Sequence, residues 1–440
     1  MISAKHLIVI ASIASSFFCS LNLRADEGDR PVQHLSYEEA AVMALRDNPD
    51  LLAIRYTEEG FKLRSKQALA PNNPVFSYTN ADVVGFSLSQ QPAQEIYQVN
   101  FTLGFPGKAL SQSATIRHQA ESTREQALGK EIDLLVALSN NYISFSVNRT
   151  FKQILVDEQK KDAELLKLLE KKYAASQAAK VDLLNAKVVS ETIAQSILSN
   201  QNDYDILVTQ FLQLIRRPGD KGLLPIIPEK IIIPPVKDSF ESLSETMSRN
   251  RHAIVAAEKA VDGSQSSLNN AILQPFPDLQ LTAAVNNWLP AGAPNGPTVL
   301  RDYTIGFAVS VPLFFPFNEL VGIHAAQTDL GNAEAQLDSA RIQAVADLQT
   351  TYTSLIAADR ELNGLEKLVL PAARESYSLT ALTYSLGKAD YFMLNQSRNT
   401  WLDSERQMLT KKQQVANLYN QLVDQVGCDI TRTEGPHACH

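Results

Sequence analysis

Between residues 131 and 217 this chain carries no glycine and no proline, although its 440 residues include 18 and 20 of them. Apolar side chains recur through that stretch at helical spacing, with Ala, Lys, Glu and Gln between them. Unbroken helical patterns of this length belong to coiled coils, membrane spans or helical repeats. At about 1.5 Å per residue, a helix over residues 107–173 reaches on the order of 100 Å, too long for a compact domain. The pattern predicts a rod that turns back near residues 174–179 and returns as a second long helix over 179–217.

Composition narrows what such rods serve. The chain is 45% hydrophobic and 20% charged, with a formal net charge of −8. That charge argues against nucleic-acid binding, which needs clustered Lys and Arg. The start reads as a secretory leader over residues 1–25: Lys5 and His6, an apolar run over 7–19, then Ala25 before Asp26. Its removal takes away Lys5 and Arg24 and leaves a charge of about −10. Cys19 is alternatively a lipid-modified terminus, although bulky Phe17 and Phe18 precede it where small residues are usual. No later stretch approaches the 18 uninterrupted apolar residues of a spanning helix, so the exported chain is soluble, interfacial or a β-barrel. Cys428 and Cys439 are too few to staple a fold.

The rest of the chain is a programme run twice. The first repeat, 26–217, has a helical segment over 36–70 that opens on a capping box at Ser36 and Glu39 and pauses at Asn48-Pro49. Strands over 74–84 and 95–105 follow, then the long helices 107–173 and 179–217. A Pro- and Ile-rich linker, 218–237, leads to the second repeat, 238–427. Its helical segment is 238–273, its strands 277–287 and 302–312, and its long helices 318–384 and 388–427; a tail, 428–440, ends the chain. Tyr97, Val99, Phe101, Leu103 and Phe105 alternate with Gln98, Asn100, Thr102 and Gly104, the signal of a half-buried strand. Ile132, Leu135, Leu138, Tyr142 and Phe145 correspond to Ile342, Val345, Leu348, Tyr352 and Leu355, each pair offset by 210 positions.

Each repeat is therefore a helix, a strand hairpin, a long helix and a return helix. Two hairpins supply four strands, too few to close a barrel around a pore, and lipid tolerates no open sheet edge. Three chains sharing one sheet give twelve strands, within the range of outer-membrane barrels. A buried soluble sheet is the other option, opposed by the Gly-containing polar faces. A plain coiled-coil bundle shows the same helix pattern, and the hairpins argue against it.

This plan resembles the TolC family of outer-membrane efflux proteins over nearly the whole chain after the leader. The residues that carry the resemblance are Leu35-Ser36-Tyr37-Glu38-Glu39-Ala40 with Ala44-Leu45 and Asn48-Pro49, Phe105-Pro106-Gly107-Lys108, Val311-Pro312-Leu313-Phe314, Leu370-Pro371-Ala372-Ala373, and Tyr384-Ser385-Leu386-Gly387-Lys388. The Phe-Pro-Gly-Lys segment is most similar to the heavy-metal, CzcC- and CusC-like branch. The resemblance implies a mainly helical homotrimer with a twelve-stranded β-barrel in outer-membrane lipid and a long periplasmic α-barrel. It also implies two partners, a periplasmic adaptor and an inner-membrane transporter, and passive outward transport, with heavy-metal ions as one possible cargo.

It further points to working residues at the helical turn-backs. Ser176, Gln177, Gly387, Lys388 and Ala389 are candidates for adaptor contact, beside the simpler reading of tight turns in which Gly387 takes positive φ. Asp182, Asn185, Asp390 and Asn395 are candidates for a pore constriction, where threefold carboxylates would favour cations. Here the sequence departs from the family, since Asn185 and Asn395 stand where one Asp often falls, and at the other position the second repeat has Met393 where the first has Asp182. Pro371 interrupts a long helix where the first repeat has Lys161, predicting a bend. In the tail, Cys428, His437, Cys439 and His440 allow a Zn²⁺ or Cu site, a disulfide or no role. His118 and His324 read as surface residues without a carboxylate in ligand spacing. No catalytic motif is present, so neither an enzyme nor a cofactor is expected. The competing function is a soluble periplasmic coiled-coil adaptor or tether.

Overall fold

A computed structural model describes residues 32–81, 94–220, 222–236, 238–288 and 300–427. The expected leader, most of the loops after the first strand of each hairpin, and the tail with its Cys and His lie outside the described residues.

Strand β1 (Gln33–Leu35) leads into α1 (Tyr37–Asp47). The Ser36 hydroxyl accepts the Glu39 amide at 3.3 Å, and the Glu39 carboxylate accepts the Ser36 amide at 2.9 Å. This reciprocal cap satisfies two donors that helix geometry leaves free. Asn48 ends α1 and caps α2 (Pro49–Ala68), accepting the Asp50 and Leu51 amides. Pro49 costs nothing there, because the first helical N–H has no partner anyway. Strands β2 (Val75–Ala81) and β3 (Gln94–Leu103) form the first hairpin. Then come α3 (Lys108–Ala174), 67 residues long, and α4 (Lys180–Leu214). After β4 (Leu223–Pro225), residues 226–236 run without helix or strand into the second repeat.

That repeat comprises α5 (Phe240–Asn250), α6 (His252–Leu273), β5 (Leu279–Trp288), β6 (Leu300–Val309), α7 (Glu319–Gly364), α8 (Leu370–Ser385) and α9 (Tyr391–Val426). Between α7 and α8 lies one π-helical turn, Leu365–Val369, in which the Leu370 amide reaches back to the Leu365 carbonyl. Pro371 follows it directly. A proline lacks the N–H its fourth-preceding carbonyl would accept and crowds that carbonyl; a wider turn just upstream makes room.

The four hairpin strands make one antiparallel sheet in the order β2-β3-β5-β6, and β1 pairs in parallel with β4. The helices repeat that order. Next to the sheet, α2 packs on α3, α3 on α6 and α6 on α7; towards the far end the order is α4, α3, α9 and then α8 with α7. The duplicated, mainly helical plan with a four-stranded contribution is what the chain builds.

Two cores sit where the repeats correspond. Leu138 and Phe145 in one, Leu348 and Leu355 in the other, are buried against α4 or α9 and the short helices. The copies differ most at Ile132, 7% exposed, and Ile342, 71%. The difference follows from position, since α3 is flanked on both sides and α7 is the outer helix of its layer. Gly427, at φ 79°, closes α9 where a Cβ would lie 2.4 Å from the Asn250 carbonyl oxygen, so only glycine fits that joint.

Candidate functional site

Three regions carry the functional questions: the tip of the helical hairpins, the polar core just behind it, and the outward face of the sheet.

Both hairpins turn by the same device. At the end of α3 the Ser176 amide donates to the Tyr173 carbonyl and the Gln177 amide to Lys172; at the end of α8, Gly387 donates to Tyr384 and Lys388 to Thr383. This paired pattern places one residue in left-handed conformation just past the helix. Gly387 (φ 73°) suits it, whereas Ser176 (φ 60°) occupies it despite its Cβ. Ser176, Gln177, Gly387 and Lys388 are exposed, while Ala389 packs against the tip cluster of Leu169, Ala186, Tyr384, Tyr391 and Leu394.

The candidate constriction residues have local roles in helix geometry. Asp390 caps α9, accepting the Met393 amide at 2.7 Å. Asp182 sits in the first turn of α4, where a carboxylate complements the helix dipole. Asn395 accepts the Arg398 guanidinium at 2.6 Å, and Asn185 is exposed. Pattern reading missed the apolar surface around them: Val181, Leu184, Leu386, Phe392 and Met393 are all exposed at this end. Phe392 and Met393, adjacent in the first turn of α9, were its visible signal.

Behind the tip a charged cluster ties α3, α8 and α9 together, and it too was missed. Arg398 donates to Asp162 at 2.9 Å, the Tyr377 hydroxyl donates to Glu158 at 2.8 Å, and Lys161 stands 3.4 Å from Glu158. The side chains of Glu158 and Asp162 are 1% exposed and that of Arg398 5%. Burial raises the Tyr377 phenol above its ordinary range, with the Glu158 carboxylate adding to it, and burial pushes Tyr391 up to about 12. Next to the cluster Tyr377 stacks on Trp401 at 5.2 Å, and Trp401 and Arg374 both donate to Glu405. The signal was present in the sequence: Leu155, Glu158, Asp162, Leu165 and Leu169 follow one another at helical spacing, so two acids interrupt an apolar seam.

His118 departs from the expectation of a surface residue without a carboxylate nearby. Its Nδ1 lies 3.1 Å from the Glu121 carboxylate, one helical turn on, and its side chain is 17% exposed against α6. Residues three apart on a helix share a face, which is what the spacing argument overlooked. His324 is exposed and contacts Gln327.

On the sheet, cross-strand register sorts the side chains into two faces. One carries Ser77, Thr79, Gln98, Asn100, Thr282, Asn286 and Thr304, linked by bonds such as Thr282 to Asn100 at 2.9 Å. The other is apolar in rows across all four strands: Phe76, Val99, Ala283 and Ile305 in one row, and Tyr78, Tyr97, Val285 and Tyr303 in the next. Beyond the tyrosines a polar row, Asn80, Glu95, Asn287 and Arg301, ends the band. Ile305 and Phe307 are 90% and 81% exposed. An apolar outward band edged by aromatics and opposed by a polar face is the pattern of a transmembrane β-barrel wall.

Fold and faces together define a class: a duplicated α-hairpin and β-hairpin chain that is one open segment of a mixed α- and β-barrel. Residues 243–427 match the family model described as outer membrane efflux protein. The likeness to that family covers the second repeat, and the fold over both repeats is that of the TolC-family channels. CusC, solved in studies of its folding and transmembrane channel formation, superposes with a TM-score of 0.74 at 15% identity, covering 92% of this chain and 95% of its own. VceC from Vibrio cholerae gives 0.71 at 18% identity over 89% and 96%. The open state of MtrE from Neisseria gonorrhoeae gives 0.71 at 17% over 89% and 88%. Comparison with the curated proteins finds no match.

Proposed function

We propose that this protein is the outer-membrane conduit of a tripartite efflux pump, three copies enclosing one tunnel. The observation that carries the reading is a pair of open edges that recur at every level. Strands β2 and β6 end the sheet, α2 and α7 end the helical layer beside it, and α4 and α8 end the layer towards the tip. Exposed apolar side chains stand on both lower edges, Val188, Leu198 and Ile206 on α4, and Leu368, Leu379 and Leu382 on and near α8. One copy's β6, α7 and α8 thus offer complementary partners to the next copy's β2, α2 and α4. Closing three four-stranded sheets makes a twelve-stranded barrel whose apolar band faces lipid and whose polar face lines the lumen.

The channel carries no energy source of its own, so transport depends on an inner-membrane transporter reached through a periplasmic adaptor. Ser176, Gln177, Gly387, Lys388 and Ala389 are the proposed adaptor contacts. Asp182 and Asp390, with Asn185 and Asn395, are the proposed narrowing of the pore, and Pro371 with its π-turn the proposed bend above it. The Phe105–Lys108 segment makes metal ions the first cargo to test. The band on the sheet favours this reading over a soluble adaptor or tether.

Extraction of outer membranes in mild detergent, followed by native mass spectrometry, should yield a particle of three chains that dissociates on heating. A single chain recovered in the periplasmic wash would overturn the reading. Deleting the gene and measuring tolerance to Cu, Zn, Co and Cd against a set of dyes and detergents then assigns the cargo.

A further inference from the structure

Behind the tip α3 and α9 run side by side in opposite directions, and amides stitch their seam. Gln413 donates to the Ser144 hydroxyl at 2.8 Å, and Asn420 donates to Asn140 and Ser139 at 2.8 and 2.9 Å. Eleven residues beyond Gln413 on α9, and eleven before Ser144 on α3, stand Asp424 and Asp133. Eleven residues make about three helical turns, so the two acids keep the phase of that contact and meet across the seam. Their carboxyl groups hydrogen-bond to each other, which requires a proton on one of them.

The pair stands on the open side of the helical layer. Leu138, Tyr142 and Phe145 of α3 cluster with α1, and Val415, Leu422 and Val426 of α9 cluster with α5 and the chain before it. At about 100° per residue, Asp133 lies roughly 120–180° around α3 from the first set, and Asp424 roughly 160–180° around α9 from the second. A wall one helix thick carries such added layers outside, because inside they would fill the tunnel. Thr410, Gln413, Asn417 and Asp424, at helical spacing, then form a polar row towards the lumen. This level is 34 residues along α9 from Asp390, about 50 Å from the tip.

Other charges surround the two acids. On α3, Lys130 stands 3.5 Å from Asp133. At the joint of α5 and α6 come Arg251 and His252, held by Asp347 of α7 at 3.1 Å and by Glu125 of α3 at 2.8 Å. Glu245 and Arg249 of α5 pair with each other at 2.6 Å. Burial and then Asp133 hold the proton on Asp424 well above the ordinary carboxylate range, against the pull of Arg251 and His252. We infer that Asp133 and Asp424 are a selectivity-determining pair of the tunnel wall: releasing their shared proton adds one negative charge per copy and turns this level towards cations. Three copies make the step a ring of three charges, which draws cations and repels anions. Cations, hydrated metal ions included, are thus preferred in neutral surroundings and less so in acid. This inference rests on the reading of three copies around one tunnel.

Reversal potentials in planar bilayers under a KCl gradient test it. The wild-type oligomer should prefer cations at pH 7 and lose part of that preference by pH 5, with a midpoint near 6. Ordinary carboxylates titrate near pH 4 and stay charged through most of that range. Asp424→Asn should remove the step and hold the channel at its acid value. Asp133→Asn, at a side chain 54% exposed, should draw the midpoint to lower pH. An unchanged step in Asp424→Asn assigns it to another group, such as His252, and overturns the inference; so does a flat wild-type profile. If Asp424→Asn does not assemble, an unmoved midpoint in Asp133→Asn overturns it equally. Each of these results leaves a conducting oligomer standing. A wild-type chain that forms neither oligomer nor conductance overturns the tunnel, and this inference with it.

Discussion

Asp424, near the end of α9, holds its proton to a pH of about 6, chiefly because it is buried and secondly because Asp133 lies beside it, opposed by Arg251. An ordinary Asp in the unfolded chain releases that proton near pH 4. Between those values the folded state binds more protons than the unfolded one, so its stability falls as pH rises through about 4 to 6. Asp424→Asn should flatten that slope, which thermal unfolding at pH 4, 5 and 6 measures. Arg398 presents the opposite case of a buried cation with two buried acids around it. Removing one partner of such a cluster strands the others, at about 3–5 kcal/mol. Arg398→Ala should therefore lower the unfolding midpoint markedly, and Arg398→Met combined with Glu158→Gln and Asp162→Asn should recover part of the loss. These residues were the least legible in the sequence. A charge on a long helix ordinarily marks the solvated face, and only its position within an apolar seam, between Leu155 and Leu169, betrays it.

Among the elements, the strands and rods were the easiest to read, because one period fixes each. The alternation through Tyr97, Val99 and Phe101 admits a single outward face, and the stretch without Gly or Pro holds long helices on either side of one turn. The π-turn at Leu365–Val369 was not legible in the same way, since Pro371 signals an interruption without specifying how the backbone absorbs it. The joint between sheet and helix was read only as a family likeness at Phe105-Pro106-Gly107-Lys108; its mechanism lies in a residue distant in sequence. The half-buried Lys108 ammonium and the Phe105 amide, from one repeat, both converge on Asp278 of the other. Lys108→Met keeps the side-chain length but removes two charge-assisted bonds, each worth about 1.5–3 kcal/mol when partly buried. The expected outcome is faster amide exchange at Phe105 and along the first turn of α3, with the tips unaffected.

For the whole molecule, the two faces of the sheet should respond to charge in opposite ways. A lysine at the mid-band of an outer-membrane barrel costs about 2–4 kcal/mol on the lipid side, while lumen positions mainly tune selectivity. Ile305→Lys should thus cut the yield of heat-dissociable oligomer in the outer membrane, and Thr282→Lys, on the opposite face of the neighbouring strand, should preserve it while altering conductance in planar bilayers. The proposal of several chains was legible from the strand count alone. Which edges meet was not, because it depends on an order of elements that only folding reveals.

The thread between the repeats has a further implication. Pairing of β3 with β5 inside one chain supplies the kind of antiparallel seam that β6 and β2 would supply between chains of the proposed trimer, and residues 226–236 join the two halves while packing on both cores, Ile227 on one and Ile233 and Val236 on the other. Severing that thread would leave every seam intact. Two separately encoded halves, exported side by side, should then alternate around the same tunnel as a six-membered ring, making each half free to vary on its own.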